Sequence, residues 1–438
     1  MVLIVAPWPD VQGAVVGGTP AGGSSRIDAE LGRYNKHIPL QMRSRESSIS
    51  VEDPPELAAA TRAGLVSLVL LSCGHFTVDL YAGALGALQP LLMERFQTSL
   101  TQAGILGGVL VFSASVMQPV YGYLSDRFHS RFFTVLAPAV AGLFLSAMGR
   151  ASSYNWLLLL VLLGGAGVAS FHPQASARAV LGEEGRRARA MAIFISAGTL
   201  GTALGPIYFS AMATLGGLDR LQWAAVPGVL MTVVLFLIPT ATASTARPSG
   251  GFEWRPLAAA WKPLTLLYLL VFIRSILQIA FSQFLPLYLH LERGFGVVRA
   301  NYVLSAYLAA GAIGGFLGGY LADRFGGRLV TLFSMLVSVP FLVLFFATSG
   351  WLSIAGLIVS GFILLFTIPV NVVMAQRLAP GQAGTVSALM MGFAWGMAGM
   401  VFIPMIGLAG DYFSLDRVLA SLTIFPVIGF LLAWKLPR

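Results

Sequence analysis

Gly122-Tyr-Leu-Ser-Asp126-Arg127-Phe-His-Ser-Arg131 and Gly319-Tyr-Leu-Ala-Asp323-Arg324-Phe-Gly-Gly-Arg328 agree at seven of ten positions and stand 197 residues apart. Each copy follows the second apolar run of its half of the chain and precedes the third. A polar turn kept for orientation alone has no need of two near-copies at the same ordinal place, so the pair reads as an internal repeat of two related helical bundles.

Working outward, the runs themselves are near the ~20 residues that cross a ~30 Å hydrocarbon core. Six lie between Gly64 and residue 241 and six between 263 and 434. The predicted organisation is residues 1–60 as a disordered N-terminal segment, 61–241 as one six-helix bundle, 242–262 as a polar linker, and 263–438 as a second bundle. The disorder rests on Pro7, Pro9, Pro20, Pro54 and Pro55 in a Gly- and Ser-rich stretch. Translation from Met42 rather than Met1 remains open. The fold class is therefore an all-α integral membrane protein with twelve transmembrane helices in two pseudo-symmetric bundles.

Composition agrees. Of the 438 residues 57% are hydrophobic and 10% charged, far below the roughly 25% charged of a soluble domain. The net charge of +9 comes from cations in short loops, with no basic stripe interleaved with aromatics, so nucleic acid is not an expected partner. The single cysteine, Cys73, offers no disulfide or thiolate cluster. Neither a Gly-x4-Gly-Lys-Ser/Thr sequence nor a Ser/His/Asp or metal-spaced His set occurs, so the reading is not an enzyme, with no cofactor and no metal. Arg95, Arg150, Arg220, Arg293, Arg299 and Arg417 fall at one end of the runs, Arg274 inside one, and all other Lys and Arg at the end that holds the N-terminus. The positive-inside rule then predicts both termini in the cytoplasm of a plasma (inner) membrane protein.

The repeated loop resembles motif A of the major facilitator superfamily. That resemblance implies secondary transport by alternating access, with Gly122, Asp126, Arg127, Arg131, Gly319, Asp323, Arg324 and Arg328 as gating residues; the first copy has His129 where glycine is usual. Two further stretches narrow it. Gly74-His75-Phe-Thr-Val-Asp79 in the first helix and Phe171-His172-Pro173-Gln174 in the fourth are similar to the fosmidomycin resistance proteins, which implies efflux of a small drug-like or anionic compound against protons. Gln174 stands where those proteins usually have Glu. In the fifth helix Gly201, Gly205 and Pro206 are similar to the antiporter motif, with Phe209-Ser210 in place of a glycine pair.

Few residues can do polar work in lipid. Asp79 is the one carboxylate well inside a run, and a lone acid there is expected to load and release a proton, with His75 four residues earlier on the same face. Helix rise puts His172, Arg274, Gln278 and Asn371 at depths near that of His75. The resemblance implies that helices 1, 4, 7 and 10 line one cavity, which gathers these residues and Gln174 as a substrate site. Either histidine could instead be a packing residue; Arg274 could neutralise Asp79 or bind an anionic substrate; Gln174 could face the cavity or a backbone freed by Pro173. The expected partners are a small molecule, protons and lipid, the energy source a proton gradient and the unit a monomer. Proton-coupled metabolite uptake is an alternative in the same fold, and a transport-inactive receptor or scaffold a remote one.

Overall fold

The computed structural model describes residues 54–128, 130–181, 187–238, 240, 254–379 and 382–437. The expectations for residues 1–53, for most of the linker and for a start at Met42 lie outside that range. Among the described residues twelve helical spans are long and apolar enough to cross a membrane: α1 Ala63–Phe96, α2 Leu100–Ser125, α3 Phe132–Arg150, α4 Tyr154–Ala179, α5 Arg189–Gly216 and α6 Leu218–Leu237, then α7 Trp261–Leu291, α8 Val297–Phe325, α9 Gly327–Ala347, α10 Gly350–Leu378, α11 Thr385–Phe413 and α12 Leu415–Ala433. The first helix begins at Pro54, ahead of the expected start at Gly64, so residues 54–60 are helical rather than irregular. The reason is local: two prolines suit a first helical turn, and Leu57-Ala-Ala-Ala-Thr-Arg-Ala consists mostly of strong helix formers.

The elements begin and end where side chains can satisfy the free ends of the backbone. Ser99 opens α2 with a capping box, accepting from Gln102 N while the Gln102 side chain accepts from Ser99 N. Ser153 caps α4 in the same sense. Three connections shrink to a single residue in the left-handed region, Gly217 (φ 68°) between α5 and α6, Gly326 (φ 88°) between α8 and α9 and Ser414 (φ 90°) between α11 and α12. Ser414 tolerates this because its hydroxyl accepts from Arg417 N, and Glu292 at the end of α7 accepts from Leu415 N and Asp416 N at 2.7 and 2.8 Å.

Residues 59–438 form one compact unit. Its apolar core divides into one cluster drawn from α1–α6, with Tyr81, Phe171 and Phe209 fully buried in it, a second drawn mainly from α7–α12, with Phe281, Tyr288 and Phe345, and a small third of Val330, Phe366 and Val370. Large apolar side chains also point outward, among them Leu200, Leu230, Ile313, Phe316, Met405 and Leu431, as lipid-facing surfaces require.

Hydrogen bonds cross between the halves at the end opposite the motif-A loops. Asp411, at the close of α11, accepts from Leu100 N and Thr101 N, both at 2.8 Å, and from Thr101 Oγ1; Asn301 of α8 donates to Ala87 O at 3.0 Å. Backbones also meet there: a Cβ on Gly86 would strike Ser282 O, and one on Gly407 would strike Leu100 O. Small residues thus let α1 close on α7 and α2 on α11.

Candidate functional site

At the mid-depth of α1, Asp79 touches two histidines at once. His75 Nε2 lies 3.3 Å from Oδ2 and His172 Nε2 lies 3.3 Å from Oδ1. The first contact follows from helical geometry, since residues four apart share a face. The second depends on α4 packing beside α1, where the two imidazoles meet edge to face with centroids 5.0 Å apart. His75 is further held by stacking on Phe194 at 4.2 Å. The side chains of His75, Asp79 and His172 are 9%, 17% and 23% exposed, so the cluster is enclosed yet reachable.

Both imidazoles have their proton positions constrained. His75 Nδ1 lies 2.8 Å from Phe194 O and His172 Nδ1 2.8 Å from Val168 O. A carbonyl oxygen only accepts, so each Nδ1 carries hydrogen and each Nε2 of a neutral ring turns its lone pair toward the Asp79 carboxylate. Three acceptors then face one another, an arrangement that becomes attractive when a cation enters, whether a proton on Nε2 or a metal ion. The three ligand atoms lie within 4.8 Å of one another.

The expected neighbour His75 is joined at Asp79 by His172, and of the two readings of Arg274 the geometry does not show the one in which it neutralises Asp79. Both carboxylate oxygens are occupied by imidazoles. Arg274, in α7, instead donates through Nη1 to Gln278 Oε1 at 2.6 Å and through Nη2 to Ser275 Oγ at 3.2 Å. It is 5% exposed, and its Nε has no partner among the described residues. The fully buried Tyr307 hydroxyl, within Coulombic range of this guanidinium, likewise has none. The surroundings of Arg274 therefore hold a buried charge and two donors without partners among the described residues, chemistry that suits an anion.

The remaining polar candidates sit elsewhere. Gln174 accepts from Thr134 Oγ1 at 2.8 Å and donates to Ser130 O at 3.1 Å, which ties the bend of α4 to the first motif-A loop. Asn371 is fully buried, with Thr331 Oγ1 3.4 Å from its Oδ1 and no partner for Nδ2 among the described residues. Neither joins the His75–Asp79–His172 cluster.

Motif A has a structural layer that repeats. Arg131 donates to Phe236 O at the end of α6 at 3.4 Å, and Arg328 donates to Trp434 O just beyond α12 at 2.6 Å. Each arginine thereby caps the last helix of its half, where cations suit the exposed carbonyls. Gly122 faces Pro173 of α4 and Gly319 faces Pro369 of α10, with room for an added Cβ at 3.4 and 3.8 Å. Arg127, Asp323 and Arg324 are exposed. The antiporter-motif glycines serve contact: a Cβ on Gly201 would strike Phe76 O, one on Gly205 would lie 2.5 Å from Leu80 O, and Pro206 abuts Gly83.

One turn earlier in α5 stands Gly198, which sequence reading did not single out. A Cβ there would meet His75 Nε2 and come within 2.7 Å of Asp79 Oδ2. Its contribution is the absence of a side chain, a signal that only the helix spacing of Gly198, Gly201 and Gly205 carries.

A bundle of twelve membrane-crossing helices with a buried Asp–His cluster at the mid-depth of α1 and two matching loops at one end defines a multi-pass secondary transporter. The chain belongs to the Major Facilitator Superfamily, which it matches over residues 71–404. It is 30% identical to the fosmidomycin resistance protein of Escherichia coli K12, over 85% of this chain and 93% of that one. It is 29% identical to the uncharacterized MFS-type transporter YfnC of Bacillus subtilis, covering 84% and 92%. In fold it resembles a bacterial homologue of the human lysosomal transporter Spinster in an inward-facing, occupied conformation, with TM-score 0.73, 16% identity, and coverage of 84% and 95%. Family and fold are those of a transporter and not an enzyme.

Proposed function

We propose that this transporter exports a small drug-like or anionic compound in exchange for protons, rocking α1–α6 against α7–α12 about the middle of the membrane. The observation that carries the proposal is the cluster at Asp79. Two imidazole Nε2 atoms face the two oxygens of one carboxylate across 3.3 Å contacts, so the cluster is favourable only with a cation in it, and its charge changes with the number of protons on the two Nε2 atoms. A group of this kind can favour one conformation when loaded and the other when empty. Asp79 and His75 are the proton-coupling residues, with His172 as third member.

Arg274 supplies the complementary half. Its charge is fixed, it has no carboxylate partner within 4 Å among the described residues, and Gln278 and Ser275 hold the guanidinium so that Nε stays free. A phosphonate or carboxylate entering the cavity would answer that charge. Gln174, on α4 two residues past His172, and Asn371, on α10, are the further cavity candidates of this reading. With motif A in the cytoplasm, as the loop cations favour, both termini are cytoplasmic and the contacts through Asp411 join the two halves at the outer end. The similarity to a fosmidomycin resistance protein supports the outward direction of transport.

Proteoliposomes test the reading. An imposed pH gradient should drive uptake of a phosphonate drug into vesicles that hold the protein inside out, and Asp79→Asn should abolish it; flux that ignores the gradient, or that survives the substitution, sinks the coupling.

A further inference from the structure

The same three residues satisfy a second chemistry, one that uses geometry and donor type alone. We propose that His75, Asp79 and His172 bind a divalent late-transition-metal ion, Zn2+ being the natural occupant, between α1 and α4. Zinc takes imidazole nitrogen at about 2.0–2.1 Å and carboxylate oxygen at about 2.0–2.2 Å, so neighbouring ligands around a tetrahedral ion stand about 3.4 Å apart. The two Nε2–Oδ separations here are both 3.3 Å. They run to different oxygens, and one donor atom from each residue lies within 4.8 Å of the other two, so rotation of the side chains has to draw the three together onto an ion.

The surroundings favour a metal in two further ways. A metal-binding imidazole is usually fixed through its other nitrogen, which sets the tautomer and aims the lone pair. Phe194 O and Val168 O do this for His75 and His172 at 2.8 Å each. Opposite them, Gly198 brings bare backbone against His75 and Asp79, so no side chain of α5 competes for the ion. Two nitrogens and a carboxylate suit zinc, nickel or copper and disfavour calcium and magnesium, which prefer oxygen cages. Two neutral imidazoles and one carboxylate sum to −1, so a dication leaves the site at +1, the same charge that two protons would give.

The ion acts as a reversible blocker rather than a cofactor. That consequence rests on the coupling role proposed above, whereas binding itself does not. Co2+ serves as the probe because low-coordinate cobalt absorbs visibly. Purified full-length protein, freed of metal with a chelator and titrated in detergent, should take up one Co2+ per chain, and Zn2+ should displace it. His172→Gln and Asp79→Asn should each weaken binding at least tenfold, while His290→Gln, at a distant histidine, should leave it unchanged. Unaltered elution in size-exclusion chromatography shows that each variant is folded; if one is not, His75→Gln replaces it. Absence of Co2+ uptake by the wild type, or equal affinity in the ligand variants, overturns the site. Proton-driven flux measured in chelator distinguishes the two proposals, since a failed metal site leaves that flux intact and a failed coupling abolishes it.

Discussion

The two halves of this transporter share a scaffold and differ in the charge they bury. In α1–α6 the buried charge is a cluster, Asp79 against His75 and His172 at 3.3 Å, whose sum depends on what cation it holds. In α7–α12 it is Arg274, 5% exposed and supported by neutral Gln278 and Ser275, whose charge does not change. Motif A, by contrast, is duplicated down to its capping bonds, Arg131 on Phe236 O and Arg328 on Trp434 O. The lesson is a division between what the repeat preserves and what it frees. Ends and turns hold the bundles together and stay alike, while the mid-membrane positions diverge into a variable charge on one side and a fixed charge on the other.

The most severe way to break that comparison is to remove the variable charge. Asp79→Asn leaves a neutral amide between two imidazoles, so proton occupancy of the cluster no longer switches it between attraction and repulsion. Gradient-driven flux in proteoliposomes should fall to that of protein-free vesicles, while substrate binding in detergent, measured by calorimetry, should persist through Arg274.

The converse substitution should separate the roles the other way. Arg274→Ala removes the fixed charge and leaves Gln278 without its 2.6 Å donor. A charge-assisted hydrogen bond contributes about 1.5–3 kcal/mol, so affinity for an anionic substrate should drop roughly 10- to 100-fold. Arg274→Lys should recover part of it. A neutral substrate, if carried at all, should still respond to the pH gradient, and equal losses for both substrate types would refute the division.

How much of this was legible beforehand follows the same division. The duplicated loop and the apolar runs made the twelve-helix fold readable, because both are local patterns of chain chemistry. His75 and Asp79 were readable as a pair because a helix places residues four apart on one face. The partner at His172, 93 residues past Asp79 in sequence, depends on how α4 packs, and sequence offered depth but not rotation. For Arg274 the sequence leaves two readings open, neutralising Asp79 or meeting an anionic substrate, and the first lapses because imidazoles face both carboxylate oxygens. Gln174 and Asn371 had suitable depth and face other neighbours. Gly198 and Asp411 were missed because one acts by lacking a side chain and the other by a contact between helices far apart in sequence.

Gly198 provides a gentler test of the cluster. Gly198→Ala puts a methyl group against His75 Nε2 and Asp79 Oδ2, and overpacking of this kind costs about 1–3 kcal/mol. The melting temperature should fall modestly, and proton-driven flux should drop without loss of anion affinity. Gly201→Ala, which would press on Phe76 O, should lower stability with no selective effect on coupling.

The smallest expected effect lies at the end where the halves meet. Asp411 accepts from the first backbone amides of α2, and a carboxylate at a helix N-terminus gains both hydrogen bonds and the favourable end of the helix dipole. The contact is solvent-exposed, so Asp411→Ala should remove about 1 kcal/mol of preference for the conformation sealed at that end. That is enough to shift a balanced two-state equilibrium about fivefold. Spin labels at Tyr123 and Tyr320, exposed and equivalent in the two motif-A copies, should then show a larger fraction of short distances as the motif-A end closes. Thr101→Val, which removes a single hydroxyl donor to Asp411, should move the distribution in the same direction by less. An unchanged distribution in both variants would mean that the close backbone contacts at Gly86 and Gly407, rather than the carboxylate cap, hold the two halves together.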